Sequence, residues 1–234
     1  MPSFTVRERR PELMDSPTLD AERFIGSLAG LRRVNFVTGS ARILWPEVHE
    51  IAARAGRPLR VLDVACGAGD MLIRLGARAR RAGLRMELSG CDVNPLAVKF
   101  AREQSAAADV SADYFQFDAL RDPVPADFDV IMSSFFLHHL EETDAVGFLR
   151  RAAEATRGSV LIHDLVRSRA GYWLAALGIP VLLCNDVCRV DGPRSVEGAF
   201  TLAEARALTD CAGLEGARIT PRFPFRFLLR WNKA

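Results

Sequence analysis

Two carboxylates and two glycines mark the part of this chain that is best suited to bind a small molecule. Asp63 lies within the apolar run 61–64, and a turn that contains Gly67 and Gly69 follows this run directly. A buried strand that ends in Gly-x-Gly before a helix is the form of a nucleotide-binding turn. Gly67 permits a sharp turn of the backbone there, and Gly69 permits a close approach of the main chain to a ligand.

The two acids indicate which nucleotide the turn would hold. A dinucleotide fingerprint has a third glycine where this chain has Leu72, and a pyrophosphate would be repelled by Asp63. A ligand with an ammonium and a sulfonium would instead be attracted. Asp92 ends the next apolar run and is placed to bind both hydroxyls of a ribose. This pattern favours S-adenosylmethionine over NAD, with an NAD(P)-dependent oxidoreductase and a non-catalytic cofactor-binding module as alternatives.

The pattern Asp63-x-x-x-Gly67-x-Gly69, followed by Asp92, resembles the signature of the class I S-adenosylmethionine-dependent methyltransferases. More loosely, the chain is similar to methyltransferases of ubiquinone and menaquinone biosynthesis and to small-molecule O-methyltransferases. The resemblance implies a Rossmann-like α/β fold whose seven-stranded, mostly parallel sheet has helices on both faces. It also implies an N-terminal helical cap over residues 1–57 and a methyltransferase domain over 58–234, with an acceptor-side insertion at 165–200.

The order of apolar and amphipathic segments predicts the same architecture independently, because strands alternating with helices form a parallel sheet covered on both faces. Strands are predicted at 60–65, 85–91, 112–117, 128–133 and 159–163, and two more at 214–220 and 223–231. Asp20 and Thr201 are predicted to cap helices. Within the insertion, an apolar helix around 172–177 is predicted, followed by a polar loop at Asp191-Gly192-Pro193.

The carboxyl ends of the strands are where ligands bind in such sheets. The resemblance implies that Asp63 faces the amino group of the methionine part, Asp92 the ribose and Asp118 the adenine amine. The alternative for Asp63 is a carboxylate that accepts hydrogen bonds from the glycine turn itself. The predicted cofactor-binding residues are Asp63, Ala65, Gly67, Gly69, Asp92, Val93, Asp118, Ala119, Ser133 and Ser134.

Histidines are the candidates for catalysis, since a phenol ionises near about pH 10 and its O-methylation benefits from a base that titrates near neutrality. His163, at the end of the fifth strand, is the preferred base, and Asp164 would orient it or contact the acceptor. His138 and His139 follow the fourth strand and are the other candidates. For these two, packing or hydrogen bonding beside the cofactor is the alternative role.

A flat aromatic acceptor is predicted from a group of aromatic side chains near the strand ends and in the insertion. These are Phe135, Phe136, Tyr172 and Trp173. The predicted reaction is O-methylation of a phenol or hydroxyquinone in secondary metabolism, with C-methylation of a quinone-type ring as the alternative. The sequence after the fourth strand lacks an Asn/Asp-Pro-Pro-aromatic motif, which disfavours exocyclic nitrogens of nucleic acids or protein glutamine as acceptors.

The bulk composition sets limits on partners and location. The chain has 234 residues and a formal charge of +2, so no polyanionic partner is indicated. Its five cysteines form no Cys-x-x-Cys pair, which favours free thiols in a reducing compartment and no metal site. No signal-peptide core or membrane span is recognised. We expect a cytoplasmic protein that binds a small molecule and no nucleic acid, and a homodimer remains open.

Overall fold

A computed structural model describes residues 4–182 and 186–233 of the chain. Its strands are β1 (Leu59–Val64), β2 (Met86–Asp92), β3 (Asp113–Gln116), β4 (Val130–Ser134), β5 (Ser159–Leu165), β6 (Arg218–Arg222) and β7 (Arg226–Asn232). Its helices are α1 (Ala21–Val37), α2 (Ser40–Arg54), α3 (Asp70–Arg81), α4 (Pro95–Ala107), α5 (Glu142–Ala155), α6 (Arg169–Leu182), α7 (Asp186–Gly198) and α8 (Leu202–Cys211). Short 3₁₀ helices lie at Leu13–Asp15 and Leu137–His139.

The strands form one seven-stranded sheet in the order β3-β2-β1-β4-β5-β7-β6. β1 to β5 are parallel, and β7 runs antiparallel to both β5 and β6. The direction of strand addition reverses between β1 and β4, and ligands bind at such a switch point beside the carboxyl ends of the strands. The structure thus confirms the predicted Rossmann-like α/β class.

The core is divided by the sheet into two apolar layers. Leu62 and Ile131 face the layer formed with α5 and α8, whereas Val61 and Met132 face the layer formed with α2 and α3. Strands buried on both faces are expected to be apolar at nearly every position, as β1 and β4 are. The polar exceptions in these strands, among them Asp63, are therefore the residues that call for a functional explanation.

Two predicted helix caps are confirmed. The side chain of Asp20 accepts a hydrogen bond from the backbone N–H of Arg23 at 2.9 Å. Thr201 and Glu204 form a reciprocal capping box at the start of α8. Such caps satisfy backbone donors that have no partner within the helix, so they fix where the helix begins.

The predicted polar loop at Asp191-Gly192-Pro193 is wrong, because these residues lie inside α7. Tertiary packing outweighs local propensity here. A Cβ at position 192 would collide with the side chain of Ile179, so glycine allows α6 and α7 to pack closely. The carboxylate of Asp191 accepts hydrogen bonds from the backbone N–H groups of Leu13 and Met14, at 2.8 and 3.0 Å.

Residues 4–15, which we call the N-terminal strap, cross the carboxyl edge of the sheet. The guanidinium of Arg7 donates hydrogen bonds to the carbonyls of Gly198, His138 and Leu140, at 2.6, 2.9 and 2.7 Å. The backbone N–H of Glu8 donates to the carbonyl of Glu197 at 3.2 Å. The strap is therefore held against both the β4–α5 connection and the insertion.

Two further sequence predictions concern cysteines and membrane spans. In the described parts of the chain, Cys66 and Cys91 are buried free thiols and Cys211 is an exposed one. Cys188 is buried, and its Sγ donates a hydrogen bond to the carbonyl of Ser27 at 3.6 Å, while Cys184 lies outside the described residues. Among the helices of residues 4–182 and 186–233, none has the length and apolar character needed to cross a bilayer.

Candidate active site

The turn after β1 has the backbone conformation that its glycines were expected to allow. Gly67 and Gly69 have φ values of 51° and 70°, and Ala65 adopts 57°. A Cβ on Gly69 would lie 2.6 Å from the hydroxyl oxygen of Tyr114. Glycine is thus required at position 69 by both backbone conformation and space.

Asp92, at the end of β2, stabilises this turn. Its Oδ2 accepts a hydrogen bond from the backbone N–H of Gly67 at 2.9 Å, and its Oδ1 accepts one from Asn94 at 3.0 Å. Burial raises the pKa of Asp92, against the opposing effect of these two N–H donors. The acid therefore lies beside the glycine turn, as the motif predicts, and its contact with a ribose stays a prediction.

Asp63, Asp70 and Asp92 place three carboxyl groups around the glycine turn. Asp63 is 1% exposed and its Oδ1 has no hydrogen-bond partner. Burial raises the pKa of Asp63 well above its usual value, and the charges of Asp70 and Asp92 raise it further. Burial also raises the pKa of Asp70 to about 6, although a hydrogen bond from Asn35 at 3.2 Å opposes this.

This arrangement fits the cationic end of S-adenosylmethionine. Buried carboxylates that repel one another are costly unless a positive group pairs with them. An ammonium or sulfonium beside Asp63 would supply that charge and a partner for its free oxygen. Asp70 was not predicted as a site residue, although its position directly after Gly69, at the first turn of α3, was a usable signal.

The other predicted cofactor positions lie at the same edge with differing contacts. The hydroxyl of Ser133 donates to the carbonyl of Val64 at 2.8 Å, while the Oγ of Ser134 is buried without a partner. Asp118 accepts a hydrogen bond from the backbone N–H of Leu120 within its own turn. Val93 is exposed and Ala119 is buried. Their cofactor contacts stay predictions.

His163 is fully buried on β5, and neither of its ring nitrogens has a hydrogen-bond partner. Its ring lies against Phe135, with 4.7 Å between ring centroids. Burial lowers the pKa of His163 to about 3, and Arg226 and Arg222 contribute in the same direction. At neutral pH the imidazole is therefore uncharged and a weak base.

His138 has the stronger polar environment. Its Nδ1 lies 2.6 Å from Oδ1 of Asp164, and its Nε2 lies 3.6 Å from Oε1 of Glu12 in the N-terminal strap. Burial alone lowers the pKa of His138, but Asp164 and Glu12 outweigh it and raise this pKa to about 10. In this conformation the ring is an imidazolium that bridges two carboxylates.

His139 extends this network along the N-terminal strap. Its Nδ1 lies 3.0 Å from Oδ2 of Asp15, and its Nε2 lies 3.9 Å from Oε2 of Glu12. Ligand atoms of Glu12, His138 and His139 lie within 4.8 Å of one another, although the sequence predicted no metal site. Ion pairs with Glu12 hold the two histidines in this arrangement, and the absence of a metal stays a prediction. Sequence reasoning missed Glu12, whose approach to His138 depends on the path of the strap.

The predicted aromatic residues separate into two groups. Phe135, at φ 56°, lies against His163, and Phe136 packs edge-on against the core residue Phe148. Tyr172 contacts Phe4 of the strap, with 5.5 Å between ring centroids. Trp173 is half-exposed on α6 and lines a shallow surface groove. Acceptor contacts of all four stay predictions.

Comparison with known proteins agrees with this geometry. Residues 61–158 match the family model described as "Methyltransferase domain". A demethylmenaquinone methyltransferase of Deinococcus radiodurans is 38% identical over 92 residues, covering 39% of this chain and 36% of that relative. A ubiquinone biosynthesis O-methyltransferase of Azotobacter vinelandii is 29% identical over 181 residues, covering 74% of this chain and 73% of that relative. The chain thus spans little more than a third of the first relative's length.

A solved structure shows the same fold. The O-methyltransferase family 2 protein of Planctomyces limnophilus, in complex with apigenin, superposes with a TM-score of 0.63 at 19% identity. The alignment covers 94% of this chain and 63% of that one.

The fold and the acids around its glycine turn define a class I methyltransferase domain, whose cofactor is S-adenosylmethionine. The match of residues 61–158 to a methyltransferase domain, together with the ubiquinone and menaquinone relatives, supports the class I S-adenosylmethionine-dependent methyltransferase that the motif predicts.

Proposed function

We propose that this protein transfers a methyl group from S-adenosylmethionine to a hydroxyl oxygen of a small aromatic acceptor, a phenol or a hydroxyquinone. The observation that carries the proposal is the 2.6 Å contact between Nδ1 of His138 and Oδ1 of Asp164 at the ends of β4 and β5. A histidine oriented by a carboxylate is a suitable base for removing the proton of a hydroxyl. A role in secondary metabolism is part of the same proposal.

The acids around the glycine turn would hold the cofactor. Asp63 and Asp70 would face its cationic methionine end, and Asp92 its ribose. When bound, the cofactor supplies a methyl group already activated by its sulfonium. The protein then has to aim the acceptor oxygen in line with this methyl group and exclude water.

Asp164 would keep the proton of a neutral His138 on Nδ1, which leaves the lone pair of Nε2 to accept the acceptor's proton. In the conformation described here, Glu12 lies opposite Nε2 and favours the imidazolium. Catalysis therefore requires Glu12 to withdraw, so that the acceptor hydroxyl takes its place. The N-terminal strap would thus move when the acceptor enters.

His163, which the sequence favours as the base, remains the competing candidate. Its low pKa and complete burial support a binding role better than proton removal. The variants His138→Gln and His163→Gln distinguish the two. The measured activity is methylation of a phenol or hydroxyquinone. We expect His138→Gln to lower kcat by about 10² or more and His163→Gln to lower it by less than about 10-fold.

Binding of S-adenosylhomocysteine should stay near the wild-type affinity in both variants. The reverse pattern, with His163→Gln inactive and His138→Gln active, would transfer the base role to His163. Methylation of no acceptor in a panel of phenols and hydroxyquinones, despite binding of S-adenosylhomocysteine, would favour a cofactor-binding module. Binding of NAD without binding of S-adenosylhomocysteine would favour an oxidoreductase.

The similarity to ubiquinone and menaquinone methyltransferases supports a quinone-type ring as one acceptor class. Methylation of a ring carbon of such a quinone-type acceptor is the second candidate reaction. Carbon-13 NMR of a product labelled in the transferred methyl group separates the two, because an O-methyl carbon resonates far downfield of a C-methyl carbon.

A further inference from the structure

Several buried polar atoms without partners lie at the carboxyl edge of the sheet. In residues 4–182 and 186–233, unpartnered atoms in this region belong to Asp63, Ser134, His163 and Arg226. Buried polar groups are nearly always hydrogen-bonded, so each exception needs an explanation. A row of such exceptions along one edge is typical of side chains that bind a polar ligand.

Strand register places these side chains on one face. Ser134 pairs with His163, and His163 pairs with Leu228, two residues beyond Arg226. Because alternate residues of a strand share a face, Ser134, His163 and Arg226 point to the same side as Asp63. This is the side covered by α2 and α3.

Arg226 is the exceptional member of this row. It is 5% exposed, forms no ion pair with any carboxylate of the described residues at 4.0 Å or less, and its Nε has no hydrogen-bond partner. Its Nη1 donates to the carbonyl of Thr38 and to Oγ of Ser40, both at 3.3 Å. Burial lowers the pKa of Arg226 to about 10, although Asp164 partly compensates. A buried cation whose hydrogen-bond partners are all neutral is costly.

On the face covered by α2 and α3, the charges are thus separated by sign, because Asp164 points to the opposite face from its neighbour His163. The acids Asp63 and Asp70 lie at the β1 end, and Arg226 lies at the β7 end beside His163. Three strand spacings of about 4.8 Å separate β1 from β7, so the two groups of charges are about 14 Å apart. That span accommodates the methionine part of the cofactor and one aromatic ring with a substituent.

We propose that Arg226, with His163 beside it, binds a carboxylate carried by the aromatic acceptor. The proposal rests on the methyltransferase function proposed above and names the class of acceptor. A guanidinium binds a carboxylate through two parallel hydrogen bonds, and the unpartnered Nε of Arg226 is one donor of such a pair. A neutral His163 would donate a further N–H, and Phe135 would contact the ring.

The test compares two acceptor analogues that differ only in charge, 3,4-dihydroxybenzoate and 3,4-dihydroxybenzamide. Their Kd values are measured by titration calorimetry on the full chain saturated with S-adenosylhomocysteine. We expect the wild-type protein to bind the benzoate at least about 10-fold more tightly than the benzamide. In Arg226→Met the ratio should fall to within about 2-fold, while the Kd of S-adenosylhomocysteine stays within about 2-fold of wild type.

Two further variants separate binding from folding. Arg226→Lys keeps the charge and should retain part of the preference. Ser40→Ala removes one contact that holds Arg226 but leaves its Nε free, so it should retain most of the preference. Circular dichroism melting curves report whether each variant is folded. If neither Arg226 variant folds, the wild-type ratio alone decides.

Three results would overturn the proposal. They are equal affinities of the wild type for the two compounds, no binding of either compound, and a benzoate preference that survives Arg226→Met. A loss of about 10-fold or more in S-adenosylhomocysteine affinity in Arg226→Met would also overturn it, because Arg226 would then belong to the cofactor site. Methylation of either compound is measured separately. A benzoate preference without turnover would contradict the proposed function alone, and turnover without the preference would contradict this inference alone.

Discussion

The backbone N–H of Gly67 donates a hydrogen bond to Oδ2 of Asp92 at 2.9 Å, so the acid after β2 stabilises the turn after β1. Asp92→Ala should therefore weaken binding of S-adenosylhomocysteine by about 10-fold or more, because it removes both the support of the turn and the proposed acceptor for a ribose hydroxyl. Titration calorimetry measures the change. Asp113→Ala, at an exposed acid on the neighbouring strand β3, is the matched control and should bind normally. Unchanged affinity in Asp92→Ala would remove this acid from the cofactor site.

Gly69 and Gly83 have nearly the same φ, 70° and 67°, but different surroundings. A Cβ at position 69 meets Tyr114, whereas a Cβ at position 83 meets nothing within 4 Å. Both alanine variants should lose about 1 kcal/mol of stability from the left-handed backbone alone. Gly69→Ala should lose more, and it should also lose cofactor affinity. Chemical denaturation and titration calorimetry test this, and equal effects of the two substitutions would argue against the close packing at Tyr114.

Glu12 contributes to the raised pKa of His138. Replacing it with Gln removes a negative charge that favours the imidazolium, so the pKa of His138 should fall. The pH profile of kcat/KM should therefore shift to lower pH in Glu12→Gln, with higher activity near neutrality if His138 is the base. Glu8→Gln changes an exposed acid of the same strap and should leave the profile in place. A profile unaffected by Glu12→Gln would contradict control of His138 by the strap.

Asp70 gives a stability prediction with a definite sign. Its pKa is about 6 in the folded protein against 3.8 for an ordinary aspartate, so folding favours the protonated form. That stabilisation is fully present below pH 3.8 and is lost as pH rises through about 6. Asp70→Asn should thus raise the free energy of unfolding by about 1–3 kcal/mol at about pH 8 and by less at about pH 5. Urea denaturation at the two pH values measures this.

The same substitution should weaken binding of S-adenosylhomocysteine, since Asp70 supplies part of the negative potential around the glycine turn. A variant that is less stable than the wild type at the higher pH would show that Asp70 is paired with a cation in solution. Asp109→Asn, at an exposed acid, is the control and should show no comparable pH dependence.

Local signals account for what could be predicted of the fold. β1 and β4 are short apolar runs because both of their faces are buried, and Asp20 and Thr201 cap helices through contacts within four residues. α7 lacks such a signal. Its Asp191-Gly192-Pro193 is typical of a turn, and its helical state depends on packing against Ile179, which no local pattern encodes.

The same distinction applies to the site. A recognisable strand–turn–helix pattern contains Asp63 and Gly67 and is followed by Asp92. Their proximity in the folded chain could therefore be predicted. Arg226 reaches Ser40 across 186 positions of sequence, and Glu12 approaches His138 through the path of the strap. Neither contact can be predicted from spacing or periodicity, because both contacts depend on how distant segments pack in the folded chain.

The position of β7 between β5 and β6 has a consequence for synthesis of the chain. A nascent polypeptide that has emerged from the ribosome only as far as α8 already contains the glycine turn and its acids. It still lacks Arg226, which arrives with the final strand of the sheet. The residues that would bind S-adenosylmethionine are therefore translated before the residue that we assign to the acceptor. Methyl transfer to a carboxylated acceptor would be possible only after β7 has inserted into the sheet.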